Sequence, residues 1–355
     1  MPHINAVTKH IPSQYLSLSI PGRLDEACML GSVFARHGRY KQAMKLYEQA
    51  LAEYEKALGV GHLDTLSMVN NMAGIFHDQG QDEKALEWYE RALVGFEKAL
   101  GVDHPSTLPI VTNVAVVFHS QGQYEKVLEL SQRALAGREK ALGVDHPDTL
   151  CTINNMASAF HNQGQYEKAL EWYERGLAGY QKALGVDHPD TLHIVNNMGV
   201  LFVKRGQYQK ALELYKQVLA GREKALGVDH PDTLGIVNNM ASIFDRQGQY
   251  GKALEWYERG FAGCQKALGV DHPVTLRIVN NMGVLFVKRG QYQKALELYK
   301  QALAGREKAL GVGHPDTLDT VSNMATVFDQ QGQYQKALEL YKRALAGREK
   351  ALGVV

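Results

Sequence analysis

The chain has 355 residues, of which 39 are basic and 38 acidic, so its formal net charge is +1. Because this balance gives no overall attraction to nucleic acid or to an anionic membrane, neither is predicted as a partner. No run approaches the roughly 18 apolar residues that a membrane span requires. The N-terminus has no apolar segment behind a basic start, and the three cysteines are scattered. We therefore expect a cytoplasmic protein with free thiols.

After an N-terminal extension, residues 1–23, the sequence repeats itself every 42 residues over the range 24–355. The eight copies begin near residues 24, 66, 108, 150, 192, 234, 276 and 318. One glycine per copy marks the period: Gly38, Gly80, Gly122, Gly164, Gly206, Gly248, Gly290 and Gly332. A repeat of about 20 to 50 residues is typical of solenoids and propellers.

The spacing of apolar residues predicts two helices in each copy. In the fourth copy, Ile153 and Met156 recur at helical spacing before Gly164 breaks the pattern, and Ala169 and Tyr173 resume it after the break. No segment is rich in β-forming residues. The sequence therefore predicts an all-α fold, an α-solenoid of eight antiparallel helix pairs in which each pair buries its apolar face against its neighbours.

The copies are joined by GVDHPDTL, residues 143–150, or a close variant. The joints hold seven histidines: His62, His104, His146, His188, His230, His272 and His314. A shared metal needs ligands within about 2–2.6 Å of one ion, whereas stacked helices lie on the order of 10 Å apart. We therefore interpret the joint as structural, with Asp145 as the helix cap and Pro147 in the first turn, against the alternative of metal binding or catalysis. No cofactor or metal is predicted.

Residues 280–304, NNMGVLFVKRGQYQKALELYKQALA, carry a family resemblance. They are similar to the tetratricopeptide repeat (TPR) at Gly283, Phe286, Gly290, Tyr292, Ala295, Tyr299 and Ala302. The 42-residue length, with LG-DHP before the next helix, resembles the kinesin light chain type. Similar arrays occur in fungal STAND-type NTPases, although the chain has no GxxxxGK[ST] phosphate-binding motif. The resemblance implies a right-handed superhelix, a TPR array whose first helices line a concave groove.

Asparagines recur in the first helices, where helix propensity gives them no advantage. Those in register are Asn71, Asn113, Asn155, Asn197, Asn239, Asn281 and Asn323, and five follow another asparagine, namely Asn70, Asn154, Asn196, Asn238 and Asn280. The resemblance to tetratricopeptide proteins implies that these residues contact the backbone or carboxylate of a peptide in the groove, and a carboxamide suits this role because it both donates and accepts hydrogen bonds. The alternative is that each asparagine bonds a neighbouring helix and orders the stack.

Other groove positions become basic from the fifth copy to the seventh. These basic residues are His193, Lys204, Arg246, Arg277 and Lys288. Residues 190–290 are therefore predicted to hold an acidic peptide segment through cationic side chains. A solvated charged face is the alternative interpretation.

The leading functional hypothesis is a non-enzymatic scaffold that binds a peptide or protein surface in the groove. The alternative is a recognition and oligomerisation array of a larger fungal NLR-like STAND receptor. An enzyme that uses a cavity within the superhelix is least favoured, since no set of catalytic residue types is confined to one place. The sequence stops at AGREKALGVV without a polar capping helix. We therefore expect the face of the last copy at Ala337, Tyr341 and Ala344 to be covered, either by self-association with another copy or by further chain of a larger parent protein.

Overall fold

The computed structural model describes residues 23–36 and 38–351. Within these residues the chain forms sixteen α-helices and no strand, as the sequence predicts. The predicted extension, residues 1–23, lies outside the described range except for Arg23, at which the first helix begins. The chain divides into two compact units, residues 1–183 and residues 184–355.

Each unit is a series of helix pairs. The first unit holds α1 (Arg23–Arg36), α2 (Tyr40–Leu58), α3 (Leu63–Asp78), α4 (Asp82–Leu100), α5 (Leu108–Ser120), α6 (Tyr124–Leu142), α7 (Pro147–Asn162) and α8 (Tyr166–Leu184). The second holds α9 (Pro189–Lys204), α10 (Tyr208–Leu226), α11 (Pro231–Arg246), α12 (Tyr250–Leu268), α13 (Pro273–Lys288), α14 (Tyr292–Leu310), α15 (Pro315–Gln330) and α16 (Tyr334–Ala351).

A glycine closes the turn inside each pair and another begins the joint to the next pair. Gly164, between α7 and α8, has a φ of 76°, and its N–H donates to the carbonyl of His161 at 2.9 Å. Gly143, after α6, has a φ of 95°. Side chains on L-residues rarely tolerate either conformation, so the regular glycines of the sequence mark these reversals of the chain.

The joint is anchored by its threonine and leucine. The Thr149 hydroxyl donates to the carbonyl of Gly143 at 2.9 Å, and Thr149 is fully buried. The next residue, Leu150, packs on Gly179 of α8, where a Cβ atom would lie 2.3 Å from the leucine side chain. This contact recurs in later pairs, for example between Leu276 and Gly305. The N-terminal end of the first helix therefore packs closely on its partner helix at a glycine.

The histidine caps the first helix, which corrects the predicted role of Asp145. His146 is the N-cap residue, and its Nδ1 accepts from the backbone N–H of Asp148 at 3.2 Å. The same contact is made in the other six joints at distances of 3.1 to 3.3 Å. Asp145 instead forms an exposed ion pair with Lys182 at 2.5 Å. The histidine remains where its neighbours vary because its ring provides the acceptor.

Neighbouring pairs pack through buried side chains. In the second unit, Tyr257 of α12 shares one buried cluster with Ile278 and Leu285 of α13. One repeat further on, Tyr299 of α14 contacts Met324 and Val327 of α15 in an equivalent cluster. Stacking of this kind buries a continuous core from units that bury little alone. None of the described helices is long and apolar enough to cross a membrane.

Replacement of the cap tests the assignment. We expect His146→Ala to lower the free energy of unfolding by about 1 kcal/mol, because the amide of Asp148 loses its acceptor. His146→Asp should retain most of the stability, since a carboxylate accepts the same bond. Urea unfolding followed by circular dichroism measures both changes. Asp145→Ala is the control, and a larger loss from it than from His146→Ala would contradict the assignment.

Candidate peptide-binding groove

The asparagines form hydrogen bonds between successive first helices. The Asn113 carboxamide donates to Asn70 Oδ1 at 3.1 Å, and Asn281 donates to Asn238 Oδ1 at 3.1 Å. Asn323 donates to Asn280 Oδ1 at 3.3 Å. Each in-register asparagine in these pairs therefore bonds to the first asparagine of the copy before it. We call this set of bonds the asparagine ladder.

Some asparagines of the ladder are almost completely buried from solvent. Asn238 is 6% exposed and Asn280 is 8% exposed, so these two side chains lie between helices. Asn70 lies 3.5 Å from Asn71, which is exposed, whereas Asn154 and Asn155 of α7 are half-buried. The ladder thus has the geometry of the stacking role that the sequence left open beside peptide binding.

The ladder is interrupted between α9 and α11. Asn196 Oδ1 is buried and has no hydrogen-bond partner within the described residues, although Asn239 stands at the ladder position that follows it. The Asn196 carboxamide nitrogen lies 3.5 Å from Asn197 Oδ1. Since a buried polar atom without a hydrogen-bond partner costs about 1–3 kcal/mol, this step of the ladder is less stable than the bonded ones.

A cavity of about 320 Å³ opens beside Asn239, the second of the two asparagines at the interruption. It lies between the last turns of α9 and α11, beside the first half of α10. Its polar lining includes Lys204, Asn239 and Arg246, three of the residues that the sequence singled out. The remaining lining residues are Val200, Val203, Gly206, Tyr208, Tyr215, Ser242 and Ile243. The cavity therefore combines two cations, a carboxamide and hydroxyl groups with an apolar wall.

The two cations of the cavity form none of the ion pairs among the described residues, whereas Lys288 does. Lys288 lies 2.6 Å from a carboxylate oxygen of Asp245, whose side chain is only 10% exposed. Lys204 and Lys288 occupy equivalent positions 84 residues apart, so the same residue type is neutralised in one copy and available in the other. A carboxylate placed in the cavity would meet two positive charges and a carboxamide donor.

The predicted residues His193 and Arg277 lie elsewhere. His193 is in the first turns of α9, 3.3 Å from Asn197 Nδ2 and eleven residues before Lys204. At about 1.5 Å per residue, those eleven residues separate the two by about 16 Å along the helix. Arg277 is near buried Cys264, whose pKa is raised by burial and lowered in part by the Arg277 charge. The predicted basic stretch therefore consists of separate groups, and only Lys204 and Arg246 meet in the cavity.

The first unit carries a neutral cluster at the equivalent place between α5 and α7. His119 Nε2 lies 2.9 Å from Asn162 Nδ2 and 3.3 Å from Ser158 Oγ. Burial lowers the pKa of His119 below its usual 6.5. Burial also raises the pKa of Tyr173, next to Ser158, to about 12. Hydrogen bonds, rather than cations, thus occupy this part of the first unit.

Sequence reasoning missed Ser242, Tyr208 and Tyr215 as lining residues of the cavity. Tyr215 occupies a repeat position that the sequence pattern assigns to the apolar core. Its burial raises its pKa. Ser242 lies between Asn239 and Arg246 on the same face of α11, so the helical period alone would have found it.

The fold and this groove define a class of helical-repeat proteins that present polar residues on stacked first helices. A tetratricopeptide repeat model matches residues 25–93, 64–140, 107–182, 148–224, 192–266, 232–308 and 276–350. The chain belongs to the tetratricopeptide repeat family. Comparison with curated proteins gives no match.

Solved structures share the fold. A putative kinesin light chain of Podosopora anserina with nearly identical TPR-like repeats is 28% identical, with a TM-score of 0.50, and the alignment covers 61% of this chain and 99% of that one. The apo quorum sensor NprR of B. thuringiensis is 13% identical, with a TM-score of 0.70 and coverage of 98% and 92%. The Rap conjugation gene regulator of plasmid pLS20, in complex with the Phr* peptide, is 17% identical, with a TM-score of 0.58 and coverage of 94% of each chain. The predicted similarity to kinesin light chain-type repeats is confirmed, while the last two likenesses show the fold alone.

The ladder predicts different effects at equivalent asparagines. Asn281→Ala removes the donor to buried Asn238, so we expect the free energy of unfolding to fall by about 1–3 kcal/mol. Asn239→Ala is the matched control, since it changes the same repeat position where the ladder is interrupted. Urea unfolding of the two variants measures the difference. Equal losses would show that the ladder contributes nothing specific.

His119 predicts a pH dependence of stability. Because its folded pKa is depressed, the unfolded chain binds more protons below the unfolded imidazole pKa of about 6.5. Stability should therefore fall as the pH drops from that value towards the folded pKa, and this contribution should be constant above it. His119→Asn should show a smaller decline in unfolding free energy between about pH 7 and pH 5. Parallel declines in the two proteins would contradict the assignment.

Proposed function

We propose that this chain is a non-enzymatic scaffold that binds an acidic peptide segment across the first helices of residues 184–355. The observation that carries the proposal is the cavity that joins Lys204, Arg246 and Asn239 where the asparagine ladder is interrupted. The TPR membership supports a protein-interaction role, and a Rap protein of the same fold has been solved with a peptide bound.

The recognition follows from the lining chemistry. An Asp or Glu side chain of the peptide accepts charge-assisted hydrogen bonds from the guanidinium of Arg246 and the ammonium of Lys204. Asn239 bonds the peptide backbone, because its carboxamide both donates and accepts. Val200, Val203 and Ile243 contact the aliphatic part of that acidic side chain.

Fluorescence anisotropy with an array of labelled acidic peptides tests the proposal. We expect the double variant Lys204→Gln, Arg246→Gln to weaken the best binder by about tenfold or more for each charge removed, because each charge-assisted bond contributes about 1.5–3 kcal/mol. The affinity of the unmodified protein should also fall with added salt.

The matched control is Lys224→Gln, Lys266→Gln, which removes the same charge from exposed lysines in the last turns of α10 and α12 that pair with Asp187 and Asp229. This control should bind like the unmodified protein. Equal weakening by both double variants would reduce the effect to net charge, and unchanged binding in the cavity variant would overturn the proposed site. Far-ultraviolet circular dichroism confirms that both variants remain helical.

A further inference from the structure

The last described helix, α16, repeats a surface that the same chain covers elsewhere. Over residues 334–351, α16 matches the first eighteen residues of α14 at every position except Arg343, where α14 has Gln301. In α14 this surface packs against the next first helix, α15. The pair α14 and α15 therefore shows which type of helix the α16 surface accepts.

The contact between α14 and α15 combines apolar packing with one buried cation. Leu296 and Tyr299 of α14 pack with Met324 and Val327 of α15. Arg306 of α14 donates to Thr320 Oγ1 at 2.8 Å. Both the apolar side chains and the arginine have direct counterparts in α16, which are Leu338, Tyr341 and Arg348.

The α16 counterparts are exposed. Leu296 is 6% exposed and Tyr299 is 1% exposed, but Leu338 is 49% exposed and Tyr341 is 40% exposed. Leu345, one helical turn after Tyr341, is 57% exposed. A run of large apolar side chains in this state favours a partner, because burial of apolar surface stabilises association.

The first described helix, α1, carries the complementary pattern. By repeat register, Leu30 and Val33 of α1 correspond to Met324 and Val327 of α15, and both are only half-buried. The neighbouring Met29 is 70% exposed. Where α15 has Thr320, α1 has the exposed carboxylate of Glu26. Among the first helices of the described chain, this is the one with a carboxylate at the arginine-binding position.

We propose that α16 of one molecule binds α1 of a second copy, head to tail. Leu30 and Val33 of the second copy pack on Leu338 and Tyr341, as Met324 and Val327 pack on α14. Glu26 of the second copy pairs with Arg348, whose guanidinium has donors left beside its 2.8 Å bond to Asp319. Because the two surfaces differ, the contact is heterologous and each added copy presents a fresh α16 surface.

Sedimentation velocity with two blocked variants tests the contact. Leu338→Glu places a charge on the α16 surface, and Met29→Glu places one on the α1 surface; both sites are exposed, so the fold is retained. The unmodified protein should form oligomers that grow with concentration. Each blocked variant alone should stay monomeric, and an equimolar mixture should form dimers and nothing larger, since only one productive pair of surfaces remains.

A charge exchange identifies the ion pair. Glu26→Arg and Arg348→Glu should each weaken association by about tenfold, because like charges then face each other. The chain that carries both substitutions should associate like the unmodified protein. A monomer at every concentration would overturn the proposal. So would a mixture that stays monomeric, or an association that responds to Leu338→Glu and ignores Met29→Glu, which would indicate two α16 surfaces meeting each other.

Discussion

The close approach of a leucine to a glycine sets the geometry of every helix pair after the first. Leu150 lies against Gly179 with no room for a Cβ atom, and Thr149 holds the preceding loop to the Gly143 carbonyl. With its N-terminal end held at two adjacent residues, the first helix has one rotational setting about its axis. That setting determines which residues face the partner helix, the neighbouring pair and the groove.

The asparagine ladder is a consequence of that common setting. Once successive first helices share one rotation, the in-register carboxamide of one copy stands within hydrogen-bond distance of the first asparagine of the copy before it, as Asn281 and Asn238 do. Wherever a link is missing, the carboxamide that would form it keeps unused hydrogen-bonding capacity. At Asn196 and Asn239 a missing link coincides with two cations outside any ion pair of the described residues. One set of side chains is thus hydrogen-bonded between helices at some junctions of the described chain and unlinked at another.

The fold was accessible from the sequence because its signals are local and repeated. The period, the glycines and the apolar spacing in residues 150–184 predict helices and turns without knowledge of their neighbours. The choice of His146 over Asp145 as cap was missed because both residue types accept hydrogen bonds, and only the backbone geometry separates them. The pairing of Lys288 with Asp245 was also missed, since it joins residues 43 positions apart on different helices. The cavity likewise joins residues of three different helices, α9, α10 and α11.

Two stretches of this chain, residues 192–233 and 276–317, differ at only three positions. Their equivalent residues Lys204 and Lys288 nevertheless differ in whether they form an ion pair with another described residue. Lys288 is held by a carboxylate from the preceding repeat, whereas Lys204 lines an open cavity. The chemistry of the groove therefore belongs to the junction between two repeats and not to either repeat alone. A recombination event that only reorders existing repeats would create new junctions, and with them new binding preferences, without a single amino-acid substitution.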